Sequence, residues 1–322
     1  MWKRSSSGVI TPPGKDHGSP EKAPCNSSKD AVLQEHNASR SEVKHAFTPG
    51  SPGLYSCRAH LDSTDLGLKT TGVGQEAITL MGCRIDNLSM QETLSRIGEF
   101  IRSGQPHQHV VVNVDKLVKA SRDPELRRII NECALVNVDG TPVLWASRLL
   151  GKPLKERVAG VDLFEALMRR AGETGWRVFL LGAREEVVSL VAETYRRRYP
   201  GLVVAGWRHG YWQGEAEEKA VAEQVRASDA DLLFVAISSP KKEQFLGRWQ
   251  AEMRIPFAMG VGGTFDVAIG RVKRAPRWMQ RAGLEWFFRF LQEPRRMFRR
   301  YFIDDMAFIW LLVKEAIFST KT

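Results

Sequence analysis

From residue 76 to about residue 270 the chain alternates short apolar, β-rich runs with longer stretches of helical periodicity, and few architectures accept that alternation. The runs AITLMGCRI (77–85), HVVVNV (109–114), ALVNV (134–138), RVFLLG (177–182), LVVAGW (202–207), DLLFVAI (231–237) and IPFAMGV (255–261) read as strands. Several are apolar throughout. A strand with one face in water would alternate, so these fit strands covered on both faces, as in a parallel sheet. Between them, 89–104, 160–175 and 184–201 carry helical spacing. The first of these has Ser89 followed three residues later by Glu92, a capping-box spacing, and ends at Gly104. The expected class is α/β with a mostly parallel sheet and flanking helices over 76–270.

The two ends of the chain have a different texture. Residues 1–75 are rich in Ser, Pro, Gly, Lys and His with few apolar clusters, and are expected to form a disordered, low-complexity region. Met1-Trp2-Lys3-Arg4 leads into serines and prolines rather than an apolar segment, so no signal peptide is expected. Residues 271–322 form a basic, aromatic, helical appendage. Over 271–301 ten arginines and lysines face only Glu285 and Glu293, interleaved with Trp278, Trp286, Phe287, Phe288, Phe290 and Phe298. The last helix candidate, 306–318, is too short to span a bilayer but apolar enough to dock on something.

Composition narrows the chemistry. A formal charge of +10 points to anionic partners: phosphorylated substrates, anionic lipid or nucleic acid. That charge is concentrated after residue 271 and no nucleic-acid-binding module is legible, so nucleic acid is not the expected partner. The four cysteines have no metal or CxxC spacing and are expected to be free thiols in a reducing compartment. The seven histidines do not pair at ligand spacing, so no metal site is expected.

In open parallel sheets, ligands bind beyond the carboxyl ends of the strands. Those ends present Asn113 and Asp115, Asp139-Gly140, Gly182, Ser238-Ser239-Pro240 and Gly262-Gly263. Each alone is ordinary turn chemistry. Together they suggest a pocket for a nucleotide or phosphate, because glycine lets backbone N–H groups approach a diphosphate. There is no GxxxxGK[ST], and GVGGTFD is not a GxGxxG fingerprint, which disfavours a kinase or a simple dehydrogenase. Asp139 is either a turn residue or a carboxylate held ready for a substrate.

The segments NVDGTPV, ERVAGVDLFEAL, RVFLLGA, YPGLVVAGWRHGYW, SSPKKEQF, GVGGTFD and RAPRWMQRAGLEWFFRFLQEPRRMFRRY, in that order over roughly 77–302, resemble the WecG/TagA/CpsF glycosyltransferases. The resemblance implies a Rossmann-like α/β domain. It also implies an inverting, metal-independent transfer of an N-acetylmannosamine-type sugar from a UDP donor to a polyprenyl-diphosphate-linked acceptor. Such chemistry belongs to bacterial surface or exopolysaccharide synthesis, at the cytoplasmic face of the plasma membrane.

Residue by residue, the resemblance implies Asp139 as the general base for the acceptor hydroxyl. Asn113 and Arg157 would contact sugar, acceptor or phosphate; a salt bridge from Arg157 to Glu156 or Asp162 is the plainer alternative. On the donor side it implies Gly182, Lys242, Glu243 and Gly263 near the diphosphate, and Tyr211 and Asp266 near the uracil. Simple core packing is the alternative for Tyr211. Arg289, Arg295 and Arg299 would stabilise the leaving UDP, since no metal is expected. The aromatic and basic residues of 271–322 would meet the membrane surface; a solvated basic helix is the plainer alternative. Homo-oligomers occur in the family. Two positions depart from its pattern: Val111 stands where a Thr is frequent, and Lys242 where many members carry Gln. They leave open a member that binds UDP without turnover.

Overall fold

The computed structural model describes residues 76–292, 294 and 305–319. The expected disordered region lies outside the described residues. The described chain opens with a hairpin of β1 (Ala77–Leu80) and β2 (Cys83–Asp86), antiparallel, with Ile78 opposite Ile85. The run 77–85, read from sequence as one strand, is thus two. Met81 and Gly82 both take positive φ, 51° and 78°, and turn the chain back at its middle. Such a turn suits the twist of a tight hairpin.

The remaining elements alternate as the sequence suggests. They run α1 (Met90–Ser103), β3 (His107–Val112), α2 (Val114–Arg122), α3 (Pro124–Glu132), β4 (Leu135–Val138), α4 (Thr141–Leu149), α5 (Gly160–Thr174) and β5 (Arg177–Gly182). Then come α6 (Glu185–Arg198), β6 (Val203–Arg208), α7 (Gly214–Ala227), β7 (Leu232–Ala236), α8 (Lys241–Met253) and β8 (Phe257–Gly260). Short helices α9 (Thr264–Ala268) and α10 (Arg277–Arg281) lead to α11 (Glu285–Gln292), and α12 (Asp305–Ser319) closes the described chain.

The six strands β3 to β8 form one parallel sheet in the order β4-β3-β8-β7-β5-β6. The chain starts inside the sheet, runs out to β4, crosses to β5 and β6, and returns through β7 to place β8 beside β3. Helices cover both faces, which is why β4 and β7 are buried at every residue. On one face α1, α5 and α6 pack through Ile97, Phe164, Leu167 and Val188 onto Leu180, Phe234 and Met259. On the other, α7 and α8 pack through Val221, Phe245 and Trp249 onto Phe179, Leu233 and Ala258. The hairpin, α2, α3 and α4 pack against Val110, Val112, Val136 and Val138.

Local chemistry fixes the ends of these elements. In α1 the Ser89 hydroxyl accepts from Glu92 N at 3.2 Å, and Glu92 accepts from Ser89 N at 2.7 Å. Gly104 ends the helix in the left-handed conformation. Asn113, expected at a strand end, is one residue past β3 and caps α2, accepting from Lys116 N at 3.0 Å. A buried chain joins α1, β3 and β4: His109 Nε2 meets Asn137 Oδ1 at 2.9 Å, and Asn137 Nδ2 donates to Thr93 Oγ1 at 3.1 Å. Burial drives the His109 imidazole down to about 4, so it is neutral here.

Of the appendage, α12 lies against α2 and the hairpin. Phe308, Ala307, Leu311 and Leu312 turn inward onto the β1–β2 core, and Glu315 accepts from Met81 N at 2.6 Å. Its outward face shows Met306, Ile309, Trp310, Val313 and Ile317, each more than half exposed.

Candidate active site

Beyond the carboxyl ends of β4, β3, β8 and β7 lies a cavity of about 510 Å³. Its walls come from Asn113 and Val111 of the β3 end, Asp139 after β4, Gly160 at the start of α5, Ile237 to Ser239 after β7, and Gly260 to Thr264 at and beyond the end of β8. Asp115, Lys116 and Lys119 of α2, Lys242 of α8, Asp266 of α9, and Arg289 and Gln292 of α11 add the polar and charged groups, and Val161, Val267 and Val272 add apolar wall.

Asp139 is held by its own backbone. Its N–H donates to Val112 O at 2.8 Å, continuing the β4–β3 ladder one residue past the strand, and Gly140 then turns the chain into α4. The side chain is one-third exposed, facing the cavity. Burial pushes its carboxyl above the ordinary range. Arg157, Arg289 and the Gly160 N–H pull it back, while Glu285 pushes it further up.

Around Asp139 runs an ionic network that ties the appendage to the sheet. Arg157 Nη1 is 3.5 Å from Asp139 Oδ1 and 3.3 Å from Glu285 Oε2. Arg274 Nε lies 3.2 Å and Arg289 Nη2 3.5 Å from Glu285 Oε1. Arg274 also grips Asp162 with both Nη atoms. Burial alone would raise Glu285, but Arg274, Arg289 and Arg157 outweigh it and hold the carboxyl below its usual range. Arg157 therefore bonds neither Glu156 nor Asp162. Glu156 accepts from Met90 N instead, and Asp162 belongs to Arg274.

A second charged cluster lies where α2 meets α8. Lys116 Nζ sits 2.7 Å and Lys242 Nζ 3.3 Å from the same Glu243 Oε1, with all three side chains at least nine-tenths buried. Lys242 reaches the cavity across the end of β8. A Cβ at Gly260 would stand 2.8 Å from its Cδ and Cε, so glycine lets the stem lie this close to the strand. Burial and the Lys116 charge lower the Lys242 ammonium to about 8, against the opposing pull of Glu243.

The cavity thus gathers Asn113, Asp139, Lys242, Gly263, Asp266 and Arg289 from the positions singled out in the sequence, with Arg157 directly behind Asp139. Glu243 lies behind Lys242 rather than on the wall. Gly182 and Tyr211 do not line the cavity. Gly182 closes β5 against β7, where a Cβ would meet the Ala236 backbone at 2.5 Å, so its smallness serves strand packing. Tyr211, 63% exposed beyond β6, is not a core residue. Arg295 and Arg299 lie outside the described residues. Sequence reading missed Lys116, Lys119 and Glu285. A helix capped by Asn113 would have exposed the first two, which follow it at third and sixth places on one helical face.

A family model described as the Glycosyl transferase WecG/TagA/CpsF family matches residues 78–322. The chain belongs to this family of glycosyltransferases. The match runs through the last residue, beyond the motifs that end near 302. Among relatives, a Bacillus spizizenii protein named N-acetylglucosaminyldiphosphoundecaprenol N-acetyl-beta-D-mannosaminyltransferase is 36% identical over 187 residues, covering 58% of this chain and 72% of the relative. A Bacillus subtilis (strain 168) protein of the same name is 34% identical over 196 residues, covering 61% and 75%. In this WecG/TagA/CpsF member, as expected from its sequence, an α/β sheet opens a polar cavity at the carboxyl ends of its strands.

Proposed function

We propose that this glycosyltransferase moves an N-acetylmannosamine-type sugar from a UDP donor to a polyprenyl-diphosphate-linked N-acetylglucosamine acceptor, with inversion and without a metal. The relatives' names support the sugar and the acceptor. The observation that carries the chemistry is Asp139, a carboxylate facing the cavity with its pKa raised by burial. A carboxylate in that state is a better proton acceptor than one in water.

In this reading the acceptor hydroxyl oxygen attacks the anomeric carbon while its proton passes to Asp139. The bond from that carbon to the β-phosphate oxygen breaks, and UDP leaves with the electron pair. Arg157 orients Asp139. Asn113, on the cavity wall, would meet the sugar or acceptor, Gly263 and Asp266 the donor, and cations of the cavity the charge of departing UDP. Tyr211 would reach the uracil from the rim beyond β6.

The acceptor's lipid calls for a protein at a membrane surface. No described helix is long and apolar enough to cross one. The outward stripe of α12, with Trp310 at its middle, suits peripheral docking to the inner face of the plasma membrane. The test is UDP release from UDP-N-acetylmannosamine, with short-chain polyprenyl-diphosphate N-acetylglucosamine and EDTA present. Release that requires both substrates supports the proposal. Release that EDTA abolishes, or none with this pair, refutes it.

A further inference from the structure

Gly160 opens α5 beside Asp139, and its missing side chain leaves a small gap in the cavity wall. Val158 N–H donates to Val138 O at 2.9 Å and Asp139 N–H to Val112 O at 2.8 Å, so the chain at 158–160 runs along the ends of β4 and β3. The Gly160 N–H is directed at the Asp139 carboxylate. Outside the adjoining chain, a Cβ on Gly160 would stand nearest to Val111 Cγ2, at 3.7 Å, and Met259 Cε, at 3.9 Å. Both are ordinary van der Waals distances. Gly160 and Val111 line the cavity and are partly exposed, whereas Met259 is fully buried and forms the floor. The gap therefore opens on the cavity, is apolar beneath, and accepts one methyl group. Backbone geometry does not call for glycine here, since residue 160 begins a helix and is not among the glycines at positive φ.

The donor sugar proposed above has a methyl group to offer, on the acetamide at C2. In α-linked UDP-N-acetylmannosamine the diphosphate at C1 and the acetamide at C2 are both axial and lie on opposite faces of the ring. Displacement with inversion brings the acceptor to the face opposite the diphosphate. The acetamide thus shares its face with the acceptor and with Asp139. An acetamide is a trans amide, so its methyl stands about 3.8 Å from C2, far enough to reach a wall beside the base. We propose that Gly160, with Val111 and Met259, forms the subsite for the acetamide methyl of the donor sugar and selects the manno configuration. The inference rests on the UDP-sugar reading and names the group by which that site chooses its donor.

The same geometry discriminates against near relatives of the donor. In the gluco epimer the acetamide is equatorial and points along the edge of the ring, away from the face that Asp139 holds. Mannose carries a hydroxyl in place of the acetamide, which is too short to fill the gap and finds only Val111 and Met259 beneath it. One carbon more or less in an apolar subsite discriminates by about tenfold to 200-fold. Filling the gap from the protein side has the matching effect. Gly160→Ala keeps the N–H that faces Asp139 and puts its own methyl where the ligand's would go.

The experiment is calorimetric titration of the full chain, without acceptor, with UDP, UDP-mannose, UDP-N-acetylglucosamine and UDP-N-acetylmannosamine, for wild type, Gly160→Ala and Val111→Ala. Thermal melts and the KM for the lipid-linked acceptor accompany it. Wild type should bind UDP-N-acetylmannosamine about tenfold or more tighter than the epimer and UDP-mannose. Gly160→Ala should abolish that preference, with UDP affinity within about twofold of wild type and a melt no lower. Val111→Ala, which removes part of the wall, should weaken the preference and leave UDP affinity alone. A Gly160→Ala protein that keeps the preference, or that binds all the UDP-sugars and UDP more weakly in parallel, overturns the subsite and leaves the donor reading standing. An intact preference with a raised KM for the acceptor gives the gap to the acceptor's acetamide and overturns the donor assignment. Wild type that binds neither UDP nor any UDP-sugar overturns the donor reading itself.

Discussion

Replacing Glu285 by Gln tests whether the appendage is energetically part of the site. The Glu285 carboxylate meets Arg274 at 3.2 Å, Arg157 at 3.3 Å and Arg289 at 3.5 Å, and its side chain is 13% exposed. A hydrogen bond to a charged group contributes about 1.5–3 kcal/mol. These contacts are longer than the 2.7–2.9 Å of a tight charged pair, and the half-exposed Arg289 head can return to water. A net cost of about 2 kcal/mol is therefore expected, a fall in Tm of about 4–8 °C for a domain of this size. The substitution also removes a charge that raises the Asp139 carboxyl and leaves Arg157 to Asp139 alone. Asp139 must be ionised to accept a proton, and a lower pKa keeps it ionised to lower pH. The acid limb of the kcat/KM profile should accordingly move to lower pH. Thermal melts and a pH–rate series on UDP release read the two effects separately. An unchanged Tm together with an unmoved or raised acid limb would refute the coupling of Glu285 to Asp139.

Arg157→Gln should shift the same limb in the opposite sense, to higher pH, because the guanidinium opposes the effect of burial on Asp139; a limb that stays put in a pH–rate series would remove Arg157 from that role. Gly182→Ala adds a Cβ 2.5 Å from the Ala236 backbone at φ +123°, so strain and overpacking together should cost about 3 kcal/mol and lower Tm by about 6–12 °C. A melt within about 2 °C of wild type would show that β5 and β7 can part there. Trp310→Ser on the outward face of α12 should weaken co-sedimentation with anionic vesicles while leaving UDP affinity unchanged; equal sedimentation would exclude that face from lipid contact.

The sheet was legible because its strands are buried on both faces and so carry unbroken apolar runs. RVFLLG at 177–182 coincides with β5, and the other sheet strands fall within two residues of their expected bounds. The hairpin at 77–86 was not, since Met81 at positive φ leaves no mark in an apolar run. Asp139 was legible as an acid where a buried strand meets a turn, and the strand order brings it beside Asn113, Gly263 and Asp266. What the sequence hid was pairing at long range. Nothing in the local pattern joins Lys116 to Glu243, or Arg157 to Glu285, because each pair is made by packing elements far apart in the chain. Gly182 shows the opposite case: its glycine was visible, but its cause, the Ala236 backbone, was not.

The most direct test of the account is UDP release from UDP-N-acetylmannosamine and the polyprenyl-diphosphate acceptor by Asp139→Asn, which keeps the shape of the side chain and loses its capacity to take a proton. A general base contributes about 100-fold to 10,000-fold, so kcat should fall by at least about 100-fold while UDP affinity stays within about threefold of wild type. A variant that turns over within about threefold of wild type would contradict the assignment of the base to Asp139.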